Sequence, residues 1–401
     1  MAAAAEVLYL SYNGIGEPLV ESQVLAYLRR LAATGLRFTL LTFERQAIAA
    51  EREAALRMAL AADGIRWHWL RSRAGWGPLS SLLDVRRGLA AVRALHARHG
   101  FRLVHARSFL PALIAQRFKR RSGVPYLNDL RGFWIDEKVY RGRLRGDGAV
   151  YRIAKRLEAQ VLRDSDYIVS LSERGARELR RFAAWRGGAL PPLATIPTCV
   201  DLDRFRPAGA KAPPQPLFGY VGSLSEEYLP EEVVAWFAAA RRRFPDSRLE
   251  LVTRSAPAPL RAALARHGVP EDCVRLHALA PAQVPAQIPH FDAALSFIRP
   301  HFAKLASCPT KVGEYLACGV PVIGNCGIGD LDALLGDGDA GCVLADFAPE
   351  TRAQSFDHLQ RLWQDPALAA RCRALAERHF SLAEGCARYA SAYERLLTAA
   401  A

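Results

Sequence analysis

The chain has 401 residues, 51% of them apolar and 23% charged, which is the profile of a globular protein with room for two domains. Its net charge of +14 is one-sided: residues 1–200 carry 33 Lys and Arg against 17 Asp and Glu, and residues 201–401 carry 21 against 23. No apolar run reaches membrane-spanning length, the start MAAAAEVLYL has no basic stretch, and the eight cysteines, from Cys199 onward, form no CxxC pair, so a membrane span, an export signal and a metal site are all disfavoured.

In chain order, Val7 to Leu10 reads as a short apolar strand followed by the loop SYNGIGEPLVES. Gln23 to Ala33 reads as a helix that Gly35 stops, and Ser80 to His99 as an amphipathic helix. Phe38 to Thr42, Ile65 to Leu70, Leu103 to Ala106, Tyr126 to Leu130, Tyr167 to Leu171 and Ala194 to Ile196 read as further strands. Such alternation predicts a doubly wound parallel sheet in an α/β fold. Gly187 to Pro192 and Pro207 to Pro216 are rich in Gly, Pro and Ala and bracket the expected hinge. The alternation restarts with strands at Leu217 to Gly222, Leu249 to Thr253, Val274 to Leu279, Ala293 to Ile298 and Val320 to Ile323. Pro230 to Phe244 reads as a helix with Pro at its first position, and Leu382 to Ala401 as a last helix. Two sheets joined by a hinge make a cleft at the carboxyl ends of their strands, where ligands bind in such folds.

The most informative stretch is FAKLASCPTKVGEYLACGVPVIGNCGIGD, Phe302 to Asp330. Ser307 is expected to cap a helix running to about Cys318, with Pro309 in its first turn and Gly319 just past its end. A helix N-terminus offers free N–H groups and a positive dipole end, which suits a phosphate. Lys304 and Lys311 add cations there, and Glu314, a turn further in, suits the paired hydroxyls of a ribose. Lys311 lies inside the helix, so its side chain is expected to face solvent and to count for least among the cations.

This stretch resembles the C-terminal motif of glycosyltransferase family 4, retaining two-domain sugar transferases, and its wording ASCPTKVGEYLA is similar to a bacterial subgroup that makes surface polysaccharides. Glu314 matches the family's ribose-binding Glu, while Ala306 stands where the family has a sugar-contacting Glu; Lys304 or Ser307 is the expected replacement. SYNGIGEPLVESQ resembles the family's Gly-bearing loop near the donor diphosphate, with Gly14 and Gly16 as matches and Glu17 in the following motif; glycine's access to positive φ is the physical reason for its use there. VHARSFLPALIAQRFKR supplies His105 and Arg107, and VPYLNDLRGFWIDEKV supplies Asp129, Arg131, Trp134 and Glu137; the family often has a His near Arg131. Asp129 or Glu137 paired with Arg131 is the bland alternative. In FGYVGSLSEEYLPEE, Gly222 and Ser223 match a donor loop, but the family's Arg/Lys phosphate clamp is missing. Arg254 and Lys304 are the expected substitutes.

The resemblance implies a GT-B fold, two Rossmann-like doubly wound domains facing each other across a cleft. The expected division is an acceptor-binding domain at 1–195, a linker at 196–216, a nucleotide-sugar domain at 217–380, and a helix at 381–401 packing back on the first domain. The expected catalytic residues are Lys304, Arg254, Arg131 and Asp129. The donor is expected to meet Gly14, Gly16, Gly222, Ser223, Ser307, Pro309, Thr310, Lys311 and Glu314, and the acceptor Glu17, His105, Arg107, Trp134 and Glu137. The expected activity is sugar transfer from a nucleotide-diphosphate sugar, UDP-linked by preference, to a glycan or polyprenyl-linked acceptor, with no metal or other cofactor. The basic first half suggests peripheral contact with an anionic membrane from the cytoplasmic side, first around Lys119, Arg120 and Arg121, and no nucleic-acid motif is present. Two other readings stay open: a non-catalytic glycan- or nucleotide-binding subunit, and a nicotinamide dehydrogenase, although Gly-x-Gly-x-x-Gly is missing at both domain starts.

Overall fold

Short strands, apolar to the core and mostly polar at their carboxyl ends, build two all-parallel sheets. The computed structural model describes residues 5–73, 78–185, 190–208 and 215–399. The first sheet comprises β1 (Glu6–Ser11), β2 (Arg37–Glu44), β3 (Ile65–Arg71), β4 (Leu103–Arg107), β5 (Tyr126–Asp129), β6 (Tyr167–Ser170) and β7 (Leu193–Thr195). Their order is β3-β2-β1-β4-β5-β6-β7, so the winding reverses between β1 and β4. The second comprises β8 (Leu217–Val221), β9 (Arg248–Val252), β10 (Val274–His277), β11 (Ala293–Ser296), β12 (Val322–Asn325) and β13 (Gly341–Leu344), in the order β10-β9-β8-β11-β12-β13. It reverses between β8 and β11. Val7, Leu8, Leu10, Leu295, Val322 and Ile323 are completely buried, because central parallel strands carry helices on both faces.

The chain forms two compact units, both Rossmann-like α/β domains: one holds the residues up to Pro197 together with those from Leu382 onward, the other Thr198–Ser381. The helix Leu382–Ala399 thus completes the first unit. Its Tyr389 packs edge-on against Tyr27 at 5.5 Å, and its Tyr393 hydroxyl lies 2.6 Å from His105 Nδ1. Of the segments expected to bracket the hinge, residues 187–189 and 209–214 lie outside the described residues. Between them, the Val200 N–H donates to Phe380 O at 2.7 Å within the second unit. Among the described residues no helix is long and apolar enough to cross a membrane.

The strands expected from the sequence are present, their ends displaced by a residue or two. β13 was not expected. Its four residues include Gly341, where a Cβ would fall 2.0 Å from Val322 O, so close backbone approach rather than side-chain pattern defines it. The helix expected from Gln23 begins earlier, as Pro18–Val20, a π-turn Glu21–Leu25, and Ala26–Ala32. The helix expected to start at Ser307 instead runs Thr310–Ala317, with Pro309 at its N-cap. Ser307 does not cap it: Ser307 closes a 3-10 turn, Phe302–Ala306, by donating its N–H to Lys304 O at 3.1 Å. The residue before a proline avoids the helical region, which is why the helix cannot extend back through Cys308.

Candidate functional site

In the first unit, the register pairs Ser11 with Arg107 and Arg107 with Asp129, one row across the carboxyl ends of β1, β4 and β5. His105 lies two residues earlier and so on the same face of the sheet. His105 Nε2 is 3.3 Å from Asp129 Oδ2, and Arg131 Nη1 is 3.4 Å from Asp129 Oδ1. With Nε2–H turned to the carboxylate, His105 Nδ1 accepts the Tyr393 hydroxyl proton. Burial lowers the pKa of His105 against the opposing pull of Asp129. Burial would raise that of Asp129, yet Arg131, His105 and Arg107 together hold it well below the usual carboxylate range. Arg107 is 3% exposed, and its Nε and Nη1 have no hydrogen-bond partner.

The loop after β1 is held by two carboxylates. Glu17 accepts from Asn13 Nδ2 at 2.6 Å and from the Gly14 N–H at 3.2 Å. Glu44, buried at the end of β2, accepts from the Ile15 N–H at 2.8 Å and the Thr42 hydroxyl at 2.5 Å. A Cβ on Gly14 would fall 2.3 Å from Glu44 Oε2. Neither Gly14 nor Gly16 has positive φ, so the expectation about backbone freedom is corrected. Gly14 makes room for Glu44, and Gly16 is exposed, where a Cβ would meet only the Arg52 guanidinium at 3.6 Å. Glu17 clips the loop. Trp134 stacks on Phe109 with ring centres 5.5 Å apart, and Glu137 accepts from Arg141 at 2.8 Å, so both make packing or surface contacts on and beside the helix Trp134–Tyr140.

In the second unit, the helix Thr310–Ala317 follows β11, and its first turn meets the loop after β8. Gly222, at φ 126, sits where a Cβ would come 3.2 Å from Lys311 Nζ. That Nζ is 3.8 Å from the ring centre of Tyr220 and 4.7 Å from that of Tyr228. It is buried and has no hydrogen-bond partner. The expectation that Lys311 faces solvent is therefore overturned: the helix turns this position inward, against β8. Burial pulls the Lys311 pKa down to about 7, opposed by Glu314. Burial likewise pushes the Glu314 carboxyl up to about 7, opposed by Lys311 and Arg204. The Tyr220 hydroxyl donates to Ser223 O at 2.5 Å, fixing the turn beside Gly222.

Lys304 forms an ion pair with Glu227 at 2.7 Å, and His301 Nε2 lies 3.4 Å from the same Glu227 oxygen. Lys304 is thus a compensated cation, anchored further by its carbonyl, which accepts from the Gly329 N–H at 2.8 Å. Arg254 is exposed after β9, its Nη2 3.5 Å from Leu279 O. No described contact brings it to Lys304 or Lys311. Ala306, at the position of the missing Glu, is 3% exposed and packs inward.

Within the units, then, His105, Arg107, Asp129 and Arg131 form one cluster, and Gly222, Lys311 and Glu314 with Pro309 and Thr310 at the helix start form another. Sequence reasoning missed Glu44, Glu227, Tyr220, Tyr228, Tyr389 and Tyr393. Only Glu44 carried a local signal, a carboxylate closing an apolar strand.

Comparison with solved structures extends over nearly the whole chain. A sucrose-phosphate synthase from Thermosynechococcus elongatus matches with a TM-score of 0.72 at 18% identity, covering 98% of this chain and 100% of that one. A glycosyltransferase from Rickettsia africae matches with a TM-score of 0.73 at 14% identity, covering 98% and 99%. HepE from Anabaena, in complex with UDP and glucose, matches with a TM-score of 0.69 at 15% identity, covering 97% and 99%. The likeness is one of fold, the GT-B architecture of two Rossmann-like domains. No curated protein matches the chain in sequence. Residues 20–192, most of the first unit, match the profile of a family described as a glycosyl transferase 4-like domain.

Proposed function

We propose that the protein is a retaining glycosyltransferase that passes a sugar from a UDP-sugar to a glycan or polyprenyl-linked acceptor in bacterial surface-polysaccharide synthesis. The observation that carries this reading is the buried Lys311 ammonium, which has no hydrogen-bond partner, beside Gly222 at the reversal point of the second sheet. Ligands of open α/β sheets bind at that point. A desolvated cation that Glu314 offsets only in part is costly, and a diphosphate supplies the missing charge. Two tyrosine faces hold the ammonium meanwhile.

In this reading Lys311 meets the diphosphate, together with the free N–H groups at the start of its helix. The leaving diphosphate gains charge in the transition state, so a fixed cation there speeds the reaction more than it tightens binding. Glu314, one turn on, binds the ribose. Lys304 is a second cation held in place by Glu227. Arg254 is peripheral.

Membrane contact belongs to the first unit. Lys119 and Arg120, expected to lead it, are already paired with Asp166 at 2.6 Å and Asp164 at 2.7 Å. The helix Ala149–Asp164 is the better surface: Val150 and Ile153 are 47% and 54% exposed, with Arg152 and Arg156 exposed beside them. Apolar side chains set among cations suit an anionic lipid surface.

The test is a thermal-shift panel of nucleotide sugars on the full chain, followed by UDP release from the donor that binds. Stabilisation by one UDP-sugar, weakened but still measurable in Lys311→Met while UDP release from it falls steeply, is the expected result. Stabilisation by none of them would sink the proposal.

A further inference from the structure

The described charges of the first unit's cluster do not balance. Arg107 and Arg131 face a single carboxylate, and both of its oxygens are taken: Oδ1 by Arg131 and Oδ2 by His105. His105 is held toward its neutral form, and burial keeps the Tyr9, Tyr389 and Tyr393 hydroxyls protonated. One buried positive charge is left over, on Arg107, whose Nε and Nη1 bond to nothing. Burial and Arg131 both weigh against that charge, yet an arginine does not give up its proton.

The place is as informative as the charge. Arg107 ends β4, next to Ser11 of β1, at the reversal point of the first sheet. It ends the strand at its sheet's reversal point, whereas Lys311 lies in the helix that follows the corresponding strand of the second unit. The next residue, Ser108, is held at φ 77, and its N–H donates to Asp129 O at 2.8 Å. A non-glycine residue in that region is strained, and such strain persists where the surroundings impose it.

We propose that Arg107, backed by Arg131, binds an oxyanion carried by the acceptor. The inference rests on reading the first unit as the acceptor side. A neutral hydroxyl would satisfy a donor but leave the charge, whereas a phosphate or carboxylate satisfies both, and the planar guanidinium fork matches two of its oxygens. The acceptor is therefore acidic at the end that enters the protein: a sugar phosphate, a phosphate-linked lipid or a uronic acid, rather than a plain neutral glycan.

The experiment measures thermal stability of the full chain in inorganic phosphate and in glucuronate at fixed ionic strength, with glucose as the neutral control, in wild type, Arg107→Gln, Arg107→Lys and Lys311→Met. Wild type and Lys311→Met are expected to be stabilised by one of the anions and not by glucose. Arg107→Gln is expected to need at least about tenfold more anion for the same shift, with Arg107→Lys in between. Without anion, Arg107→Gln should melt higher than wild type, because it removes a buried charge; an arginine serving only as a structural strut would give the opposite. Phosphate alone acting identifies a phosphate, glucuronate alone a carboxylate. Loss of the response in Lys311→Met but not in Arg107→Gln, or no response up to about 50 mM of either anion, or a destabilised Arg107→Gln with an unchanged response, would each overturn the proposal. UDP release from the donor is measured alongside, so that turnover surviving any of these failures leaves the donor reading standing.

Discussion

Replacing Lys311 with methionine separates a site cation from a structural one, because the two roles predict opposite signs. Methionine keeps an apolar side chain of nearly the same length against Tyr220 and Tyr228 but removes the charge. Burial takes the Lys311 pKa from 10.5 to about 7, which corresponds to a penalty of roughly 4–5 kcal/mol on the ligand-free fold near neutral pH. That value already includes the opposing pull of Glu314, and the ring contacts return about 1–2 kcal/mol. Lys311→Met is therefore expected to stabilise the ligand-free second unit by about 2–4 kcal/mol, or roughly 4–16 °C in Tm. The sign with pH follows from linkage. The folded state binds the lysine proton less tightly than the unfolded state, so the wild-type penalty is full below pH 7 and fades as the pH rises toward 10.5. The gap between variant and wild type should narrow over that window. Catalysis moves the other way: kcat on the UDP-sugar should fall about 10²-fold or more. Melting curves from pH 6 to 10 and steady-state kinetics read both. A variant that melts lower than wild type and turns over normally would refute the assignment of Lys311 to the diphosphate.

Gly14→Ala drives a methyl into Glu44, which is tied to the Ile15 N–H and Thr42. A loss of about 1–3 kcal/mol is expected on urea denaturation, and an unchanged midpoint would show that Glu44 moves aside freely. Lys304→Ala should lower kcat about 10²-fold, while Arg254→Ala, at an exposed position, should change it less than about threefold; the reverse order would shift the second cation to Arg254. Val150→Glu with Ile153→Glu should weaken binding to anionic vesicles at low salt more than reversal of Lys119, Arg120 and Arg121 does, and equal effects would place the contact elsewhere.

The strands were legible because central parallel strands are buried on both faces and read as short apolar runs between turn residues. β13 was not, since Gly341 and Cys342 carry no such run and the strand exists through its pairing with β12. The helix after β11 was found, but its start was misplaced because Ser307 has the chemistry of a cap and Pro309 decides the geometry. Lys311 shows the deeper limit. A lysine inside a helix normally points to water, and what turns this one inward is the packing of its helix against β8, which no local pattern encodes. The Lys304–Glu227 pair was hidden for the same reason: its partners lie on loops after different strands that become neighbours only in the sheet. Asp129 and Arg131 were read together because they lie two residues apart, whereas His105, read with Arg107 in a separate motif, joins them through the pairing of β4 with β5.

The helix Leu382–Ala399 also sets an order of events during synthesis. The second unit, Thr198–Ser381, is one uninterrupted stretch and has all its strands as soon as it leaves the ribosome. The first unit emerges earlier but waits, because Tyr389 and Tyr393, which cover Tyr27 and His105, are made after the whole of the second unit. Of the two units, the one that emerges first is thus the one completed later. Until then, the face of its sheet bearing His105 and Tyr9 lacks the helix that covers it, and uncovered apolar surface of this kind favours aggregation.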